Sequence, residues 1–428
     1  MSITSLWRRA FLEEQPSLSL GVFRFAVAFT VGAHVISSFF YLEDNFLSTA
    51  FKTKNVNFFP LPILRVVEAS PDWIVYAFVA LFLVSLVTFA FGLYSQASCV
   101  TMTACCYYFY ALNNCHIGTL SYDILLVTLF LMCVTNYHGD FLSLDSLRRG
   151  DDQAYKRLRP YFLQRLLQLQ MAWTFWGTAL SKVTAGGNWI IGNPWYYLMH
   201  YPPLGVVREF PLRGFLAQHP GLCYGIGLGV LTMEITLPFL WFMRRTRIPA
   251  VLAGWVFHVL LLITLHVPTI FFFLFPPQVA LFIEPERLVR WIEAHRARAA
   301  AGLRPKLLYD GHCGFCLASI ARLRVLDLFG QLELLDFHVQ PELKAIHPEL
   351  TAERCHSEMA LVEPDGRLSG GCYAFRRIAR RLPLLWGIVP LVYLPGAGWV
   401  GTWIYRWIAT HRYLLHRNPT CSTNQCSV

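Results

Sequence analysis

Residues 306–337 carry the segment KLLYDGHCGFCLASIARLRVLDLFGQLELLDF, which joins three local patterns. The apolar runs at 307–309 and 332–337 each predict a short strand, and the amphipathic stretch between them predicts a helix. Cys313 and Cys316 stand at the turn where the first strand gives way to that helix. The segment therefore predicts an α/β domain that opens with a strand, a CxxC turn, a helix and a second strand.

The two cysteines have the spacing of a reversible disulfide. Two intervening residues bring the second thiol within reach of the first, so a disulfide can close without backbone movement. Cys313 is expected at the helix N-terminus, where unpaired N–H groups and the helix dipole stabilise a thiolate. We therefore predict that Cys313 is the nucleophile, that Cys316 resolves the mixed disulfide, and that the domain is thioredoxin-like.

The same cysteine pair has two other interpretations. A CxxC can be half of a zinc site, which needs two more ligands; the candidates are Cys355, His356, Cys372, Cys421 and Cys426. None of them forms a second CxxC or an HxxxH pattern, so the setting favours redox chemistry and predicts no metal. An inert pair is the remaining alternative.

The composition of the whole chain excludes a single soluble globule. Of its 428 residues 55% are hydrophobic and 14% are charged, whereas soluble domains carry about 25% charged residues. Residues 17–284 are mostly long apolar runs, and residues 285–417 are mixed. We predict a polytopic α-helical membrane domain at 1–285, a basic linker at 286–305 and a C-terminal α/β thioredoxin-like domain with its tail at 306–428.

About eight segments are apolar and long enough to cross the hydrocarbon core of a bilayer, which needs roughly 20 residues per helix. They are 17–40, 72–93, 98–116, 119–136, 161–183, 221–243, 249–266 and 268–284. Several are joined by very short loops, so the number could differ by two. The cysteines in these runs are expected to be small packing residues.

The formal charge of +10 is spread over the loops between these segments. This is the pattern of a protein in a lipid bilayer, and it predicts no nucleic-acid partner. With the N-terminus inside, the inner segments hold ten Lys and Arg residues and the outer segments hold five. Because positive loops resist translocation, we predict that the N-terminus lies in the cytoplasm and that, after an even number of spans, the C-terminal domain does too.

Polar groups at membrane depth face a protein interior or a cavity by default, because ionisable groups in hydrocarbon are costly. The candidates for a membrane site are Lys182, Asn113, Asn114, His116, Glu234 and His258. A lysine in a dry pocket can act as a neutral base, with the Asn and His groups polarising a substrate beside it. The alternative is structural: Arg24 or Lys182 pairs with Glu234 or Asp123, and the histidines bond to carbonyls.

These residues make the first part of the chain similar to the HTTM membrane domain, which is related to vitamin K-dependent γ-carboxylase. The similarity spans about residues 15–285 and includes LGVFRFAVAF, the Asn-Asn-x-His turn before YDILLVTLFL, SKVTAGGNW, the intramembrane glutamate, and a histidine ahead of TIFFFLFP. It implies that the lysine matching Lys182 deprotonates a reduced quinone. A vitamin K-like quinone is therefore a possible ligand.

The second part, about residues 305–418, resembles the DCC family of thiol-disulfide oxidoreductases. The family pattern Asp-x-x-Cys-x-x-Cys corresponds to Asp310, Cys313 and Cys316, and LPLLW, the YLPG turn and YRWIATHRY follow in the same order. The resemblance implies a thioredoxin-like core with Cys313 and Cys316 as its redox pair. One departure from thioredoxins is that no proline stands just before the MALVE stretch.

Three functions follow from this combination. The preferred one is a membrane-bound thiol-disulfide oxidoreductase whose dithiol exchanges electrons with a protein thiol or with a quinone-like ligand. The second is lysine-initiated, quinol-dependent oxygenation or carboxylation of a peptide. The third is non-enzymatic, a membrane protein that matures a partner or senses redox state.

Overall fold

The computed structural model describes residues 2–50, 67, 70–113, 120–184, 189–200, 207–266 and 270–415. The chain divides into two compact units. The first contains residues 1–145 and 157–285, and the second contains residues 146–156 and 286–428.

The first unit is almost entirely helical. Its longer helices are Leu18–Phe39, Asp72–Phe91, Ser95–Leu112, Leu120–Cys133, Phe162–Thr184, Pro220–Phe242 and Arg247–Thr264. Its shorter helices are Ile3–Trp7, Leu42–Asn45, Pro194–His200, Arg213–Ala217, Ile270–Phe273 and Phe275–Ala280, with a π-helix at Arg8–Leu12. Strands β1 (Glu14–Pro16) and β2 (Leu158–Pro160) pair antiparallel beside them. Helix Leu144–Arg149 runs from this unit into the second.

Four helices in the described part of the chain are long and apolar enough to cross a membrane: Leu18–Phe39, Asp72–Phe91, Pro220–Phe242 and Arg247–Thr264. Each of them coincides with one of the predicted spans. The predicted spans 98–116, 119–136 and 161–183 also contain helices. These helices carry more polar residues or are shorter, as the glutamines of Phe162–Thr184 illustrate.

The predicted span 268–284 is not one continuous helix in the described residues. The segment instead forms the two short helices Ile270–Phe273 and Phe275–Ala280, separated at Leu274. The second helix has prolines in its first turn. Proline has no backbone N–H and clashes with the preceding turn, so the first turn of a helix is its favoured place.

A buried arginine ties the first unit together. The guanidinium of Arg24, in the middle of helix Leu18–Phe39, donates to the carbonyl oxygens of His138, at 2.5 Å, and of Leu142. It also reaches the carbonyl of Ala90, close to the end of helix Asp72–Phe91. Backbone carbonyls thus supply the acceptors that an arginine needs when it leaves water.

The second unit is built on a four-stranded sheet. Strands β3 (Lys306–Tyr309) and β4 (Glu333–Asp336) are parallel, and helix Gly314–Leu326 connects them. Strand β5 (Ala360–Val362) pairs antiparallel with β3, and β6 (Leu368–Gly370) pairs antiparallel with β5. The strand order is β4-β3-β5-β6. The predicted strand, CxxC turn, helix and strand are therefore present in this order.

Helices cover the sheet. They are Pro285–Ala301, Gly314–Leu326, Leu343–Ile346, Ala352–Ser357, Gly371–Arg381, Val389–Val392 and Ala397–Leu415, with 3-10 turns at Phe337–Val339 and Pro383–Ile388. Neighbouring residues of a strand point to opposite faces. Accordingly, Leu307 packs with Ile320 and Ile378, whereas Leu308 packs with Phe337 and Cys355.

The segment 286–305, for which the sequence predicts a basic linker, is largely the helix Pro285–Ala301. This helix is held by residues of the second unit. Glu293 accepts hydrogen bonds from the Tyr155 hydroxyl and from Lys156, the latter at 2.8 Å, and Trp291 contacts the ring of Phe329 edge to face. The short segment 146–156 is thereby joined to the C-terminal part of the chain.

Candidate active site

Cys313 lies where β3 ends and helix Gly314–Leu326 begins. It is the N-cap residue of this helix, with extended backbone angles, and its buried Sγ accepts a hydrogen bond from the N–H of Cys316 at 3.4 Å. An N-cap side chain normally satisfies one of the unpaired N–H groups of the first turn. Here a sulfur does so, which is the position that the CxxC spacing predicts.

The surroundings of Cys313 favour its thiolate. The hydrogen bond from the Cys316 side chain lowers the pKa of Cys313 to about 6, against the opposing effect of burial, and the Cys316 N–H and the Arg412 guanidinium assist. The same thiol pairing, together with burial, raises the pKa of Cys316. One thiol is thus prepared to attack while the other keeps its proton, as a nucleophile and a resolving thiol require.

Asp310, three residues before Cys313, is buried and bonded on several sides. One carboxylate oxygen accepts from the His312 N–H at 3.0 Å and lies 3.0 Å from His338 Nε2. The other lies 3.7 Å from His356 Nδ1. Burial opposes ionisation of Asp310, but the hydrogen bonds from His338 and His312 and the charge of Arg412 outweigh it, so its pKa is lowered.

Arg412 joins Asp310 to the dithiol. Its guanidinium lies 3.7 Å from the Asp310 carboxylate and 4.0 Å from the Sγ of Cys316, and it donates to the carbonyl oxygen of His356. Its side chain is almost wholly buried. A fixed positive charge at this place stabilises a thiolate on either cysteine.

Three of these side chains could hold a metal ion. Donor atoms of Asp310, His338 and His356 lie within 4.8 Å of one another, and carboxylate with imidazole is a donor set that zinc accepts. The CxxC thiols are outside this group, so the half-zinc-site interpretation of the cysteines gains no support from the described residues. The hydrogen bond between His338 and Asp310 also accounts for the arrangement without a metal.

An apolar cavity of about 680 Å³ opens beside Cys316. Its lining includes Phe315, Met359, Leu391, Val400 and Ile404, and Asp310 and Arg412 line it together with the cysteine. The cavity therefore offers an apolar surface at a reactive sulfur, which suits the apolar part of a partner molecule.

Two residues of this site, Arg412 and His338, were not predicted from the sequence, and His356 was considered only as a zinc ligand for the cysteine pair. Arg412 belongs to the YRWIATHRY stretch, which carries the family resemblance, but it lies about a hundred positions from the cysteines and no spacing rule connects them. His338 follows β4 directly, and the carboxyl ends of parallel strands are a frequent place for functional groups. That signal could have drawn attention to His338.

In the first unit, the structure brings Lys182 and Glu234 together. The ammonium lies 2.6 and 2.8 Å from the two carboxylate oxygens, and it also stands over the ring of Trp189 at 5.2 Å. The pair joins helix Phe162–Thr184 to helix Pro220–Phe242. This is one of the structural pairings considered above.

The other candidates for the membrane site have separate partners. The Asn113 amide donates to the carbonyl oxygen of Asn45 at 2.7 Å, and Nδ1 of His258 lies 2.7 Å from the carbonyl oxygen of Gly254. Asn114 and His116 lie outside the described residues, as do Cys421 and Cys426 of the tail. The predicted convergence of Lys182 with the Asn-Asn-x-His turn therefore stays a prediction.

Both units match known protein families. Residues 13–286, more than half of the chain, match the HTTM domain. The chain belongs to the HTTM family. Residues 307–418 of this HTTM protein match the DCC1-like thiol-disulfide oxidoreductase. Comparisons with curated proteins and with solved structures give no match.

The two matches confirm both resemblances drawn from the sequence, and they confirm their order in the chain. The DCC1-like match covers β3, the two cysteines, the sheet and the helix that carries Arg412. It supports thiol-based oxidoreductase activity in general. The apolar helices of the HTTM part support association with a membrane.

Proposed function

We propose that this HTTM protein is a membrane-bound thiol-disulfide oxidoreductase in which Cys313 is the nucleophile and Cys316 the resolving thiol. The observation that carries the proposal is the buried Cys313 sulfur capping a helix, with its pKa lowered to about 6. A thiol with that pKa is largely thiolate at neutral pH, and the thiolate is the reactive species.

We also propose that the second unit has a thioredoxin-like fold. The support is topological: a parallel β3–β4 pair joined by the CxxC helix, then the antiparallel strands β5 and β6 and a closing helix. This arrangement puts the cysteines between the carboxyl end of β3 and the first turn of the following helix.

The first step of the exchange is attack by the Cys313 thiolate on one sulfur of a partner disulfide. A bond forms between Cys313 Sγ and that sulfur, the partner's S–S bond breaks, and the other partner sulfur leaves as a thiolate. Arg412 remains close enough to balance negative charge on the sulfurs during the exchange. The product of this step is a mixed disulfide.

In the second step Cys316 loses its proton and attacks Cys313. The Cys313–Cys316 disulfide forms, the mixed disulfide breaks, and the second partner thiolate leaves, so the partner gains the two electrons that the dithiol loses. Cys316 is partly exposed, so we assign solvent as the acceptor of its proton, while the nearby Arg412 guanidinium favours its thiolate. The reverse sequence oxidises a partner dithiol.

The partner in this proposal is a protein thiol or disulfide whose neighbouring apolar residues occupy the cavity beside Cys316. The same cavity supports a second candidate, a quinone-like acceptor. In that case the dithiol would give two electrons and two protons to the quinone, which leaves as the hydroquinone. The apolar lining favours a ring without charge,.

The test uses the full chain in detergent or nanodiscs, reduced in advance and freed of reductant. We expect one equivalent of insulin disulfide, or of a water-soluble quinone, to be reduced per dithiol. Cys313→Ser should abolish both reactions, whereas Cys316→Ser should accumulate a mixed disulfide visible as an increase in intact mass. Cys223→Ser, in the first unit and outside the CxxC pair, is the matched control. Unchanged rates in Cys313→Ser would refute the proposal.

A further inference from the structure

The last helix of the second unit exposes a row of tryptophans. In helix Ala397–Leu415, Trp399, Trp403 and Trp407 are 79%, 67% and 52% exposed. Their spacing of four residues places them along one side of the helix. Val400 and Ile404, also exposed, widen this apolar strip. Exposed apolar residues that form a continuous patch mark an interaction surface.

The preceding helical segment extends the patch. Residues 383–392 and 397–412 form two apolar arms that meet at an angle of 110°, and Gly396, with φ +84°, lies at the bend. Trp386, Leu391 and Leu394 of the first arm and the turn are exposed. We call residues 383–412 the aromatic hairpin.

The opposite side of the second arm is fixed to the sheet. The N–H of Met359 donates to the Tyr405 hydroxyl at 2.9 Å, and Arg412 bonds to the carbonyl of His356. Gly401 lies against Cys372, where a Cβ would come within 2.5 Å of the sulfur. The arm is therefore held in one orientation within its unit, and its tryptophan side faces outward.

All charged residues within the aromatic hairpin are basic. No Asp or Glu follows Asp365 in the sequence, whereas arginines are frequent there. Arg380 and Arg406, one on each side of the bend, are exposed. Arg406 lies between Trp403 and Trp407. Tryptophan with arginine is the composition of segments that lie at the headgroup level of an anionic membrane.

We propose that the aromatic hairpin docks on the surface of the bilayer that holds the HTTM helices, with its tryptophans in the interface and its arginines on anionic headgroups. A second copy of the same surface is a poorer partner, because it would bring arginine against arginine with no carboxylate to balance them. A membrane span is also a poorer description, since the arms meet at 110° and the second arm is bound to the sheet by its other side.

This docking is independent of thiol chemistry, and so it goes beyond the proposed function. The docking nevertheless affects access to the dithiol of the proposed function. Leu391, Val400 and Ile404 of the aromatic hairpin line the cavity beside Cys316. A docked hairpin would therefore place an apolar route to the dithiol next to the lipid.

The experiment is photolabelling of the full chain in nanodiscs with lipids that carry a diazirine either near the headgroup or at the end of the acyl chain. With phosphatidylcholine and phosphatidylglycerol present, we expect the headgroup-proximal probe to label the peptide holding Trp399–Trp407. Span Asp72–Phe91 is the positive control for both probes. The peptide holding Val339, exposed but outside the hairpin, is the negative control.

Two variants sharpen the test. The combined substitutions Trp399→Ser and Trp403→Ser should reduce labelling of the hairpin to the level of the control peptide, and Val339→Ser should leave it unchanged. Reduction of insulin by the tryptophan variant should match the parent, because neither tryptophan lines the cavity. The proposal fails if the parent hairpin is unlabelled while Asp72–Phe91 is labelled, or if the acyl-end probe labels hairpin and span equally, which would indicate a span.

Discussion

At the scale of single residues, the reactivity of this protein depends on which charges surround one sulfur. Cys313 is buried, and burial by itself disfavours a thiolate. The hydrogen bonds from Cys316 and the charge of Arg412 act in the opposite direction and prevail. Asp310 is close enough to oppose them, but His338, His312 and Arg412 share its negative charge. The site therefore combines a stabilised thiolate with a buried carboxylate.

This balance predicts the pH dependence of alkylation. The rate at which iodoacetamide modifies Cys313 should rise with pH through a midpoint near 6 and level off above it, because only the thiolate reacts,. Arg412→Gln should move the midpoint upward by about one pH unit at most, and Asp310→Asn should move it downward. Arg412→Lys, which keeps the charge, is the control. Peptide mass spectrometry gives the rates, and a midpoint above 8 in the parent would contradict the prediction.

At the scale of elements, the ion pair between Lys182 and Glu234 fastens two long helices, Phe162–Thr184 and Pro220–Phe242. Both side chains are largely buried. Removing one member of such a pair leaves the other charge without compensation, which costs more than removing both. We therefore expect the single and double variants of this pair to differ in stability.

Glu234→Gln and Lys182→Met should each destabilise the first unit by about 2–4 kcal/mol, and the double variant should be more stable than either. Thermal unfolding of the full chain in detergent measures this, with Thr236→Val on the same helix as a control. If the double variant is no more stable than the single variants, the Lys182–Glu234 pair does not stabilise the first unit. The lysine-initiated reaction would then be the better explanation of these residues.

At the scale of the whole molecule, the distribution of charge predicts sidedness. The excess of Lys and Arg in one set of loops predicts a cytoplasmic N-terminus, and an even number of spans would return the second unit to the same side. The described residues contain four candidate spans, or five if the bent pair 383–392 and 397–412 is counted as one. The dithiol would then work in a reducing compartment, where it is kept ready to donate electrons.

We expect protease-cleavable tags placed before Met1 and after Val428 to be cut in inverted membrane vesicles and protected in intact cells. The physical reason is the resistance of arginine-rich loops to translocation. A periplasmic or extracellular loop tag, between the helices Pro194–His200 and Pro220–Phe242, serves as the opposite control. Termini found on different sides would show an odd number of spans, and the aromatic hairpin would become the leading candidate for the additional one.

Sequence alone determined the features that depend on neighbouring residues. The CxxC turn, the helix after it and the apolar spans follow from local spacing and composition, which constrain residues within a turn or a strand, whereas the order of the two family domains followed from the resemblance of their motifs. The prolines of FPPQVA carry a local signal for a helix start within 268–284, and the prediction did not use it.

Only the tertiary structure decided the contacts between distant residues. Arg412 meets Asp310 and Cys316 because helix Ala397–Leu415 packs against the sheet, and Lys182 meets Glu234 because two helices lie side by side. Such distances result from packing of whole elements, and no spacing along the chain encodes them. The exposure of the tryptophans in the aromatic hairpin was likewise open, since an apolar helix can be buried or face lipid with the same sequence pattern.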